Sequence, residues 1–489
     1  MIPTTEIDRR LEACGLGGGW SGRPPAAFAA LRTDSRRVES GDLFCAIRGL
    51  RFDGHEFLDE AARCGAAATV VERRPAGPPA LPLRLVADTH AAAAHLAALF
   101  AGDPARELHV VGVTGTNGKT TTALLVRHIL SAAGPAAALG TLGAVGPDGR
   151  SSPGRLTTPG PEELAARLAA ARDVGARFLA MEVSSHALVQ KRVEAIPFAC
   201  AVFTNLTRDH LDYHGDMGAY RAAKLRLLDL LAADGACAWN ADDPAWGDLR
   251  TAAPRSYGYG MSNGADVRAV GVRLGPRGSR WQLVTPKGES QVELPLLGAF
   301  NVSNALAAAA AAHAAGLATE EIARALATAP QVPGRMEVLA SRPALVVRDY
   351  AHTPDALERA LETMRPLVAG RLVCVFGCGG DRDPGKRPLM GQIACAGADL
   401  SLVTSDNPRT EDPAEIVRQV VAGLEPGGWE VIVDRREAID RALAIAGPGD
   451  AVLLAGKGHE TTQDIDGVRH PFDEARIVSD VLERAGSAR

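Results

Sequence analysis

His109-Val110-Val111-Gly112-Val113-Thr114-Gly115-Thr116-Asn117-Gly118-Lys119-Thr120 decides how the rest of the chain is read. A β-branched run enters a Gly-rich turn, and a helical pattern over residues 119–131 follows it. Gly115 and Gly118 let the backbone turn tightly, so that amide N–H groups and the helix N-terminus face phosphate oxygens. Lys119 then supplies a compact positive charge near the terminal phosphates of a nucleotide, and the Thr120 hydroxyl a ligand for Mg²⁺. The general phosphate-loop pattern wants a Gly five places before Gly118, where this chain has Val113, so the loop is a variant. Read without its flanks, the same stretch is a βα turn that happens to end in Lys-Thr; the strand before and the helix after favour the phosphate loop.

The strand-loop-helix order recurs outward from this point. Residues 178–183 and 199–206 read as buried strands, and 216–233 as an amphipathic helix. An alternating stretch over 266–294 predicts a β-hairpin insertion, followed by helices at 301–315 and 319–327. Upstream, residues 1–107 mix short apolar runs such as 42–47 and 68–71 with Gly and Pro, and Asp103-Pro104 marks a linker. Downstream, strands at 345–349, 372–376, 400–404, 430–433 and 451–454 alternate with helices starting near Pro354, Pro388, Pro413 and Arg435. Continuous apolar strands alternating with helices imply parallel sheets covered on both faces. The expected fold is α/β in three domains: a small N-terminal α/β domain (1–107), a central parallel-sheet ATPase domain with the phosphate loop (108–335), and a doubly wound Rossmann-like C-terminal domain (336–489). The last carries its ligand sites at strand carboxyl ends. A length of 489 residues fits this count at about 150 residues per domain.

Composition narrows the function classes. The net charge of -5 and the lack of a basic stripe argue against a nucleic-acid partner. No apolar stretch is long enough to span a bilayer, and the opening residues carry Glu6 and Asp8 without an apolar core, so a cytoplasmic protein with no membrane insertion is expected. Eight cysteines are scattered, and the Cys374/Cys378 spacing matches no zinc motif; free buried thiols are the expectation. Of 53 basic residues only six are lysine: Lys119, Lys191, Lys224, Lys287, Lys386 and Lys457. Where most positive positions hold Arg, a retained Lys can mark chemistry that a permanently charged fork cannot do. Lys287, in a turn-like Thr-Pro-Lys-Gly, reads as a solvated charge.

Several residues are ambiguous by themselves. Glu182 ends a predicted strand, where it can hold a metal with Thr120 or cap a helix. His210 follows another strand and pairs naturally with Asp209 or Asp212. Lys224 sits on a predicted helix face. Asp406-Asn407-Pro408-Arg409 reads as an Asn-Pro turn with a solvated Arg.

Taken with Glu182-Val183-Ser184-Ser185-His186, Asn205 through His214, Gly298 through Asn304, Pro333 through Glu337, Asp349 through Pro354 and Gly456 through Glu460, the loop Gly115 through Thr121 resembles the Mur ligases over essentially the whole chain. That family builds the peptide stem of peptidoglycan, and so serves cell-wall biogenesis, cell shape and cell division. The resemblance implies an ATP-dependent, amide-forming ligase that uses Mg²⁺. Asp406-Asn407-Pro408-Arg409 resembles the family branch that adds meso-diaminopimelate. The second carboxylate of that amino acid, absent from lysine, suits the bidentate fork of Arg.

The resemblance also implies the site. Lys119, Glu182, His210 and Lys224 would carry the chemistry, with Thr120, Glu182, His210 and Lys224 around metal ions and Lys224 bearing a carbamate made from CO₂. ATP would contact Gly115, Thr116, Asn117, Gly118, Lys119, Thr120 and Thr121, with Asn301, Arg335, Asp349 and His352 toward adenine and ribose; Asn301 also reads as the N-cap of its Ala-rich helix. The UDP-sugar substrate, UDP-N-acetylmuramoyl-L-alanyl-D-glutamate, would meet Thr33, Ser35, Leu50, Arg51, Phe52, Thr157, Thr158, Ser184, Gln190 and Arg192. Leu156 stands where many relatives carry Asn, so the hydrogen bond that Asn gives to substrate must here come from a neighbour or a water, or be lost. Diaminopimelate would meet Arg382, Asp406, Asn407, Pro408, Arg409, Gly456 and Glu460, with Glu460 receiving the distal ammonium. Lys386 and Lys457 lie inside the same loops without an assigned contact. The implied reaction passes through an acyl phosphate, requires domain closure, and needs small molecules only; a monomer is expected. A lysine-adding relative, a folylpolyglutamate synthase-like ligase and, in another class, a P-loop switch or motor are the competing readings.

Overall fold

Uninterrupted apolar strands need cover on both faces, and the computed structural model, which describes residues 1–49 and 52–487, builds its largest sheet around the strand His109–Thr114. That strand lies between Phe178–Glu182 and Phe198–Phe203 and is parallel to both, with Glu182 level with Val113 and Phe203 level with Thr114. The carboxyl ends of three strands therefore open at one edge, where the doubly wound rule expects ligands. Ala136–Gly140 extends the sheet on one side, and Leu231–Asn240 and Arg255–Gly260 extend it on the other, all parallel. The helix Lys119–Leu130 buries Ala123, Val126, Ile129 and Leu130 and packs against this sheet.

Three expected elements differ. Residues 216–233 are not one helix: Met217–Leu225 is helical, capped by the Asp216 carboxylate on Ala219 N, and Leu231–Asn240 is a strand. Leu231 already pairs with Phe198 in the sheet, so tertiary pairing overrides the helical pattern there. The expected hairpin is a set of three strands, Val267–Gly275, Gly278–Thr285 and Gly288–Leu294. The Ala-rich helix starts at Ala299, directly after Gly298 at φ +89°, so Asn301 lies in its first turn and is not the N-cap. The Asn301 amide instead donates back to Leu297 O at 2.9 Å.

In the N-terminal segment, Leu31–Arg32, Leu43–Cys45, Ala68–Val71 and Leu83–Leu85 form a parallel sheet, closed at its edge by Trp20–Ser21. The helix Thr89–Phe100, capped by Asp88, packs on the helix Pro161–Asp173, so residues 1–269 share one compact unit with 283–290 and 303–325. Residues 270–282, 291–302 and those from 326 onward form a second unit.

The second unit is doubly wound. Its sheet runs Glu337–Ala340, Leu345–Asp349, Ala451–Ala455, Leu372–Phe376, Leu400–Val403, Trp429–Val431, parallel except for the first strand. Along Leu372–Phe376 the side chains alternate: Cys374 and Phe376 face the helices Pro354–Met364, Lys386–Gly397 and Pro413–Val421, while Val373 and Val375 face Arg435–Ile445 and Glu474–Ser487.

No cysteine forms a disulfide; Cys45, Cys200, Cys237, Cys374 and Cys378 are buried as expected, but Cys14 and Cys395 are half-buried and Cys64 is exposed. Among the described residues no helix is long and apolar enough to cross a membrane.

Candidate active site

Two glycines of the phosphate loop have no tolerable substitute. Gly115 sits at φ +140°, and a Cβ there would lie 1.9 Å from Thr204 Oγ1; at Gly118, φ +81°, it would lie 2.3 Å from Asn304 Oδ1. The loop is stapled to the segment after Phe198–Phe203. Thr204 Oγ1 donates to Asn117 O (2.7 Å), Asn117 N donates to Asn205 Oδ1 (2.9 Å), and Thr207 N donates to Thr116 Oγ1 (3.0 Å). Lys119 opens the helix and returns its ammonium to Gly115 O (3.0 Å) and Thr116 O (2.7 Å). Thr120 and Thr121 are buried in the first helical turn.

Lys224 arrives from another helix at the same carbonyl: its Nζ donates to Gly115 O at 2.8 Å and lies 4.2 Å from the Tyr220 ring centroid. Its residue exposure is 1%. Burial, with the nearby Lys119 charge second, pushes the Lys224 pKa down to about 6, which favours the neutral amine at physiological pH.

Glu182 is buried at its strand end, accepting from Thr141 N (2.7 Å) and Thr141 Oγ1 (3.1 Å), and it lines a small cavity together with Thr120. Among the described residues no three His, Cys, Asp or Glu side chains converge in metal-ligating geometry. The donor set at the loop is thus one carboxylate and one hydroxyl. It fits a hard dication well only if another anion joins it.

His210, half-exposed at φ +52°, is 3.5 Å from Asp209 and packs edge-on to His186, with ring centroids 4.8 Å apart. Tyr213, His214 and Tyr220 complete an aromatic cluster there. Burial, then the charges of His210 and His214, lowers the His186 pKa to about 4. Sequence reasoning assigned no role to His186, Tyr213, His214 or Tyr220. Three of them end or lie within quoted motifs, but nothing in the spacing says they share a cluster.

A cavity of about 1010 Å³ in the first unit is lined by Thr33, Ser35, Phe52, Gln190 and Arg192 of the expected UDP-sugar set. Arg36, Arg48 and His90 also line it, and sequence reasoning missed them. Thr33 Oγ1 donates to Glu162 and Ser35 Oγ to Glu60. Thr157, Thr158 and Ser184 lie off this lining, toward Glu182. Thr158 Oγ1 donates to Glu182 O (2.9 Å) and accepts from Ser184 N (3.1 Å), while Arg192 Nη1 donates to Thr158 O (2.7 Å). Thr157 meets Thr141, the residue that also binds Glu182, at 3.1 Å. A hydrogen-bonded path thus runs from the cavity wall to Glu182. Leu50 and Arg51 lie outside the described residues. Leu156 is half-exposed and offers no polar atom.

In the second unit, Arg335 stacks on Tyr350 with its guanidinium 4.7 Å from the ring centroid, and His352 Nδ1 meets Tyr350 O at 2.8 Å. Asp349 accepts from Met336 N (2.7 Å); burial raises its pKa, against the pull of Arg335. Asp406 to Arg409 follow Leu400–Val403, and Gly456 and Glu460 follow Ala451–Ala455, so both groups leave strand carboxyl ends. They meet: Asn407 Nδ2 donates to Glu460 Oε2 at 2.8 Å, and a Cβ on Gly456 would lie 2.5 Å from Asp406 Oδ2. Arg409, at φ +53°, donates to Gly380 O (2.6 Å); exposed Arg382 donates to Asp381 O (3.1 Å). Both lysines left without contacts have them: Lys386 donates to His352 O (2.8 Å), and Lys457 to Asn407 and Glu460.

Family models match nearly the whole chain: "Mur ligase family, catalytic domain" over residues 28–112, "Mur ligase middle domain" over 113–312 and "Mur ligase, glutamate ligase domain" over 334–458. A UDP-N-acetylmuramoyl-L-alanyl-D-glutamate--2,6-diaminopimelate ligase of Gloeobacter violaceus is 45% identical over 469 residues, 95% of this chain and 96% of its own. A ligase of the same name from Geobacillus kaustophilus is 46% identical, covering 94% and 96%. A solved structure carrying that ligase name aligns with TM-score 0.70 at 37% identity, over 94% of this chain and 95% of the other. A folylpolyglutamate synthase from Mycobacterium tuberculosis shares the fold at 20% identity, TM-score 0.60 and 74% of this chain. Likeness of this extent, running from the N-terminal strands through the phosphate loop to the last loops of the second unit, makes the chain a member of the Mur ligase family.

Proposed function

We propose that this chain is the ATP-dependent ligase that adds meso-diaminopimelate to the D-glutamate of UDP-N-acetylmuramoyl-L-alanyl-D-glutamate. The observation that carries the reading is the meeting of Asn407 with Glu460 at 2.8 Å, beside Arg409: a carboxylate for an ammonium and a guanidinium for a carboxylate, the complement of an amino acid charged at its far end. Relatives at 45–46% identity that bear this ligase name support it.

In this reading the three segments 1–107, 108–335 and 336–489 bind the nucleotide sugar, ATP and the amino acid. The D-glutamyl γ-carboxylate attacks the γ-phosphate of ATP and ADP leaves, the amine of diaminopimelate attacks the acyl phosphate, and the tetrahedral adduct loses the amine proton and collapses to amide and phosphate. Lys119 and the loop amides offset the developing charge of phosphoryl transfer. Thr120, Glu182, His210 and a carbamate on Lys224 would hold Mg²⁺, which when bound neutralises phosphate charge. The unprotonated Lys224 amine supports carbamate formation, because only a neutral amine attacks CO₂. Asn301, Arg335, Asp349 and His352 orient the nucleoside; Thr33, Ser35, Phe52, Gln190 and Arg192 the nucleotide sugar. The place of work is the cytoplasm, where peptidoglycan precursors made this way sustain cell shape and division, and the working form is a monomer.

Phosphate release from ATP in the presence of the UDP-sugar dipeptide is the test. Release should depend on meso-diaminopimelate and be far weaker with lysine. Release with lysine alone would mark a lysine-adding ligase, and release needing neither amine nor nucleotide sugar a P-loop switch.

A further inference from the structure

Lys457 is one of only six lysines, and its side chain is wholly buried, at 0% exposure. Gly456 and Gly458 flank it at φ +117° and +53°, and a Cβ on Gly458 would lie 2.7 Å from Tyr350 Cβ, so the backbone that turns Lys457 inward tolerates only glycine on that side. Its Nζ donates to Asn407 Oδ1 at 3.0 Å and to Glu460 Oε2 at 3.3 Å, and lies 5.8 Å from the Phe472 ring centroid.

An ammonium has donors only, so the Asn407 atom that faces it must be the carbonyl oxygen. Asp464 N donates to that same oxygen at 3.0 Å. Two donors on Oδ1 force the Asn407 NH₂ toward Glu460, to which it donates at 2.8 Å. Lys457, Asn407 and Glu460 thereby close a triangle of three hydrogen bonds in which Lys457 donates twice, Asn407 accepts once and donates once, and Glu460 accepts twice. Glu460 Oε2 is saturated by two donors. Its side chain is 32% exposed, while that of Lys457 is wholly buried.

We propose that Lys457 is a positioning residue for amino-acid selection: it fixes the Asn407 amide and the Glu460 carboxylate in the one arrangement that accepts the distal end of the incoming amino acid. This rests on the ligase function proposed above and deepens it. Without the ammonium Asn407 Oδ1 keeps only the Asp464 N–H and Glu460 Oε2 only the Asn407 amide, so the carboxylate loses its buried counter-charge and one of the two donors that hold it in place. Arg cannot substitute, because the enclosed site has no room for a longer, forked head.

The experiment is steady-state kinetics on Lys457→Met in the full chain with ATP, the UDP-sugar dipeptide and meso-diaminopimelate or lysine. KM for meso-diaminopimelate should rise about 30-fold or more. KM for ATP and nucleotide sugar should hold, and any turnover of lysine should weaken alongside, since its ammonium needs the same carboxylate. In a Glu460→Gln background the Lys457→Met change should cost little more, since both act through one carboxylate. A parallel rise in all three KM values, a loss confined to kcat, or additive losses in the double variant would each overturn the role. Should Lys457→Met fail to fold, Lys457→Gln, whose amide can donate to Asn407 but carries no charge for Glu460, should raise the same KM by a smaller factor, and an unchanged KM there overturns the role. A parent enzyme that does not turn over meso-diaminopimelate overturns the function itself; a parent that does, beside a variant of unchanged KM, overturns only the role of Lys457.

Discussion

Gly115 O accepts hydrogen bonds from two lysines, Lys119 at 3.0 Å and Lys224 at 2.8 Å, and two ammonium charges so close in a buried site repel. The conflict is resolved by Lys224 losing its proton, with burial the larger cause. Because the folded-state pKa of about 6 lies below the ordinary value, the unfolded chain binds more protons between the two, and stability of the carbamate-free protein should rise with pH from about pH 6 upward. Lys224→Met removes that slope; thermal melts at matched pH, in CO₂-free buffer, should show the parent gaining on the variant between pH 6 and 9, and parallel curves would contradict the assignment. Lys224→Arg should keep a cooperative melt but lose turnover, since a guanidinium forms no carbamate; near-normal turnover would refute that role. How much of this was legible in the sequence differs by residue. Lys224 stood out because lysine is rare here, yet its partner Gly115 O lies 109 residues earlier, a separation that no local pattern spans. Lys457 had the same rarity and no readable contact, because its partner Asn407 comes from a strand end 50 residues earlier, although Glu460 lies only three residues on.

At the scale of elements, the strand, turn and helix of residues 109–130 were readable because each carries its own local signal: β-branched run, paired glycines, apolar periodicity. The helix expected over 216–233 was misread because Leu227, Leu230 and Leu231 continue an apolar pattern that periodicity cannot separate from a strand about to join a buried sheet. The turn itself is the more stringent element. A methyl group at Gly115 would meet Thr204 Oγ1 at 1.9 Å with backbone atoms of Asn205 close behind, at a φ that costs a non-glycine residue roughly 1–3 kcal/mol. Gly115→Ala should therefore lower the melting temperature and abolish nucleotide-dependent phosphate release, because the displaced Thr204 and Asn205 are what hold Asn117 in place. Gly149, at φ +80° with open space around it, is the control: alanine there should cost only backbone strain and leave turnover intact. Equal effects at the two positions would show that the loop's shape is not set by its neighbours.

For the molecule as a whole, chemistry is divided between units. The 1010 Å³ cavity and the phosphate loop belong to the first, and the cluster of Asp406 to Arg409, Gly456 and Glu460 to the second. Contiguous motifs made both loop systems readable. The cavity wall was only partly so, since Arg36, Arg48 and His90 come from three places that share no pattern, and only folding gathers them. The division makes a prediction about pairs of variants. Arg192 lines the cavity and ties Gln190 to Thr158, through a 3.0 Å bond from Nε and a 2.7 Å bond from Nη1. Arg409 is fixed by Gly380 O and by backbone bonds with Asp464 and Asp466. Arg192→Ala should raise KM for the nucleotide sugar roughly 10- to 100-fold, the worth of a hydrogen bond to a charged group, and leave KM for meso-diaminopimelate unchanged. Arg409→Ala should do the reverse by a similar factor, and should spare lysine, which lacks the second carboxylate. Binding of the nucleotide sugar, measured by calorimetry without ATP, separates affinity from turnover: it should weaken in the first variant and match the parent in the second. If Arg409→Ala weakened nucleotide-sugar binding, or if lysine and diaminopimelate lost equally, the guanidinium would not be reading the distal carboxylate, and the basis for naming the amine would be gone.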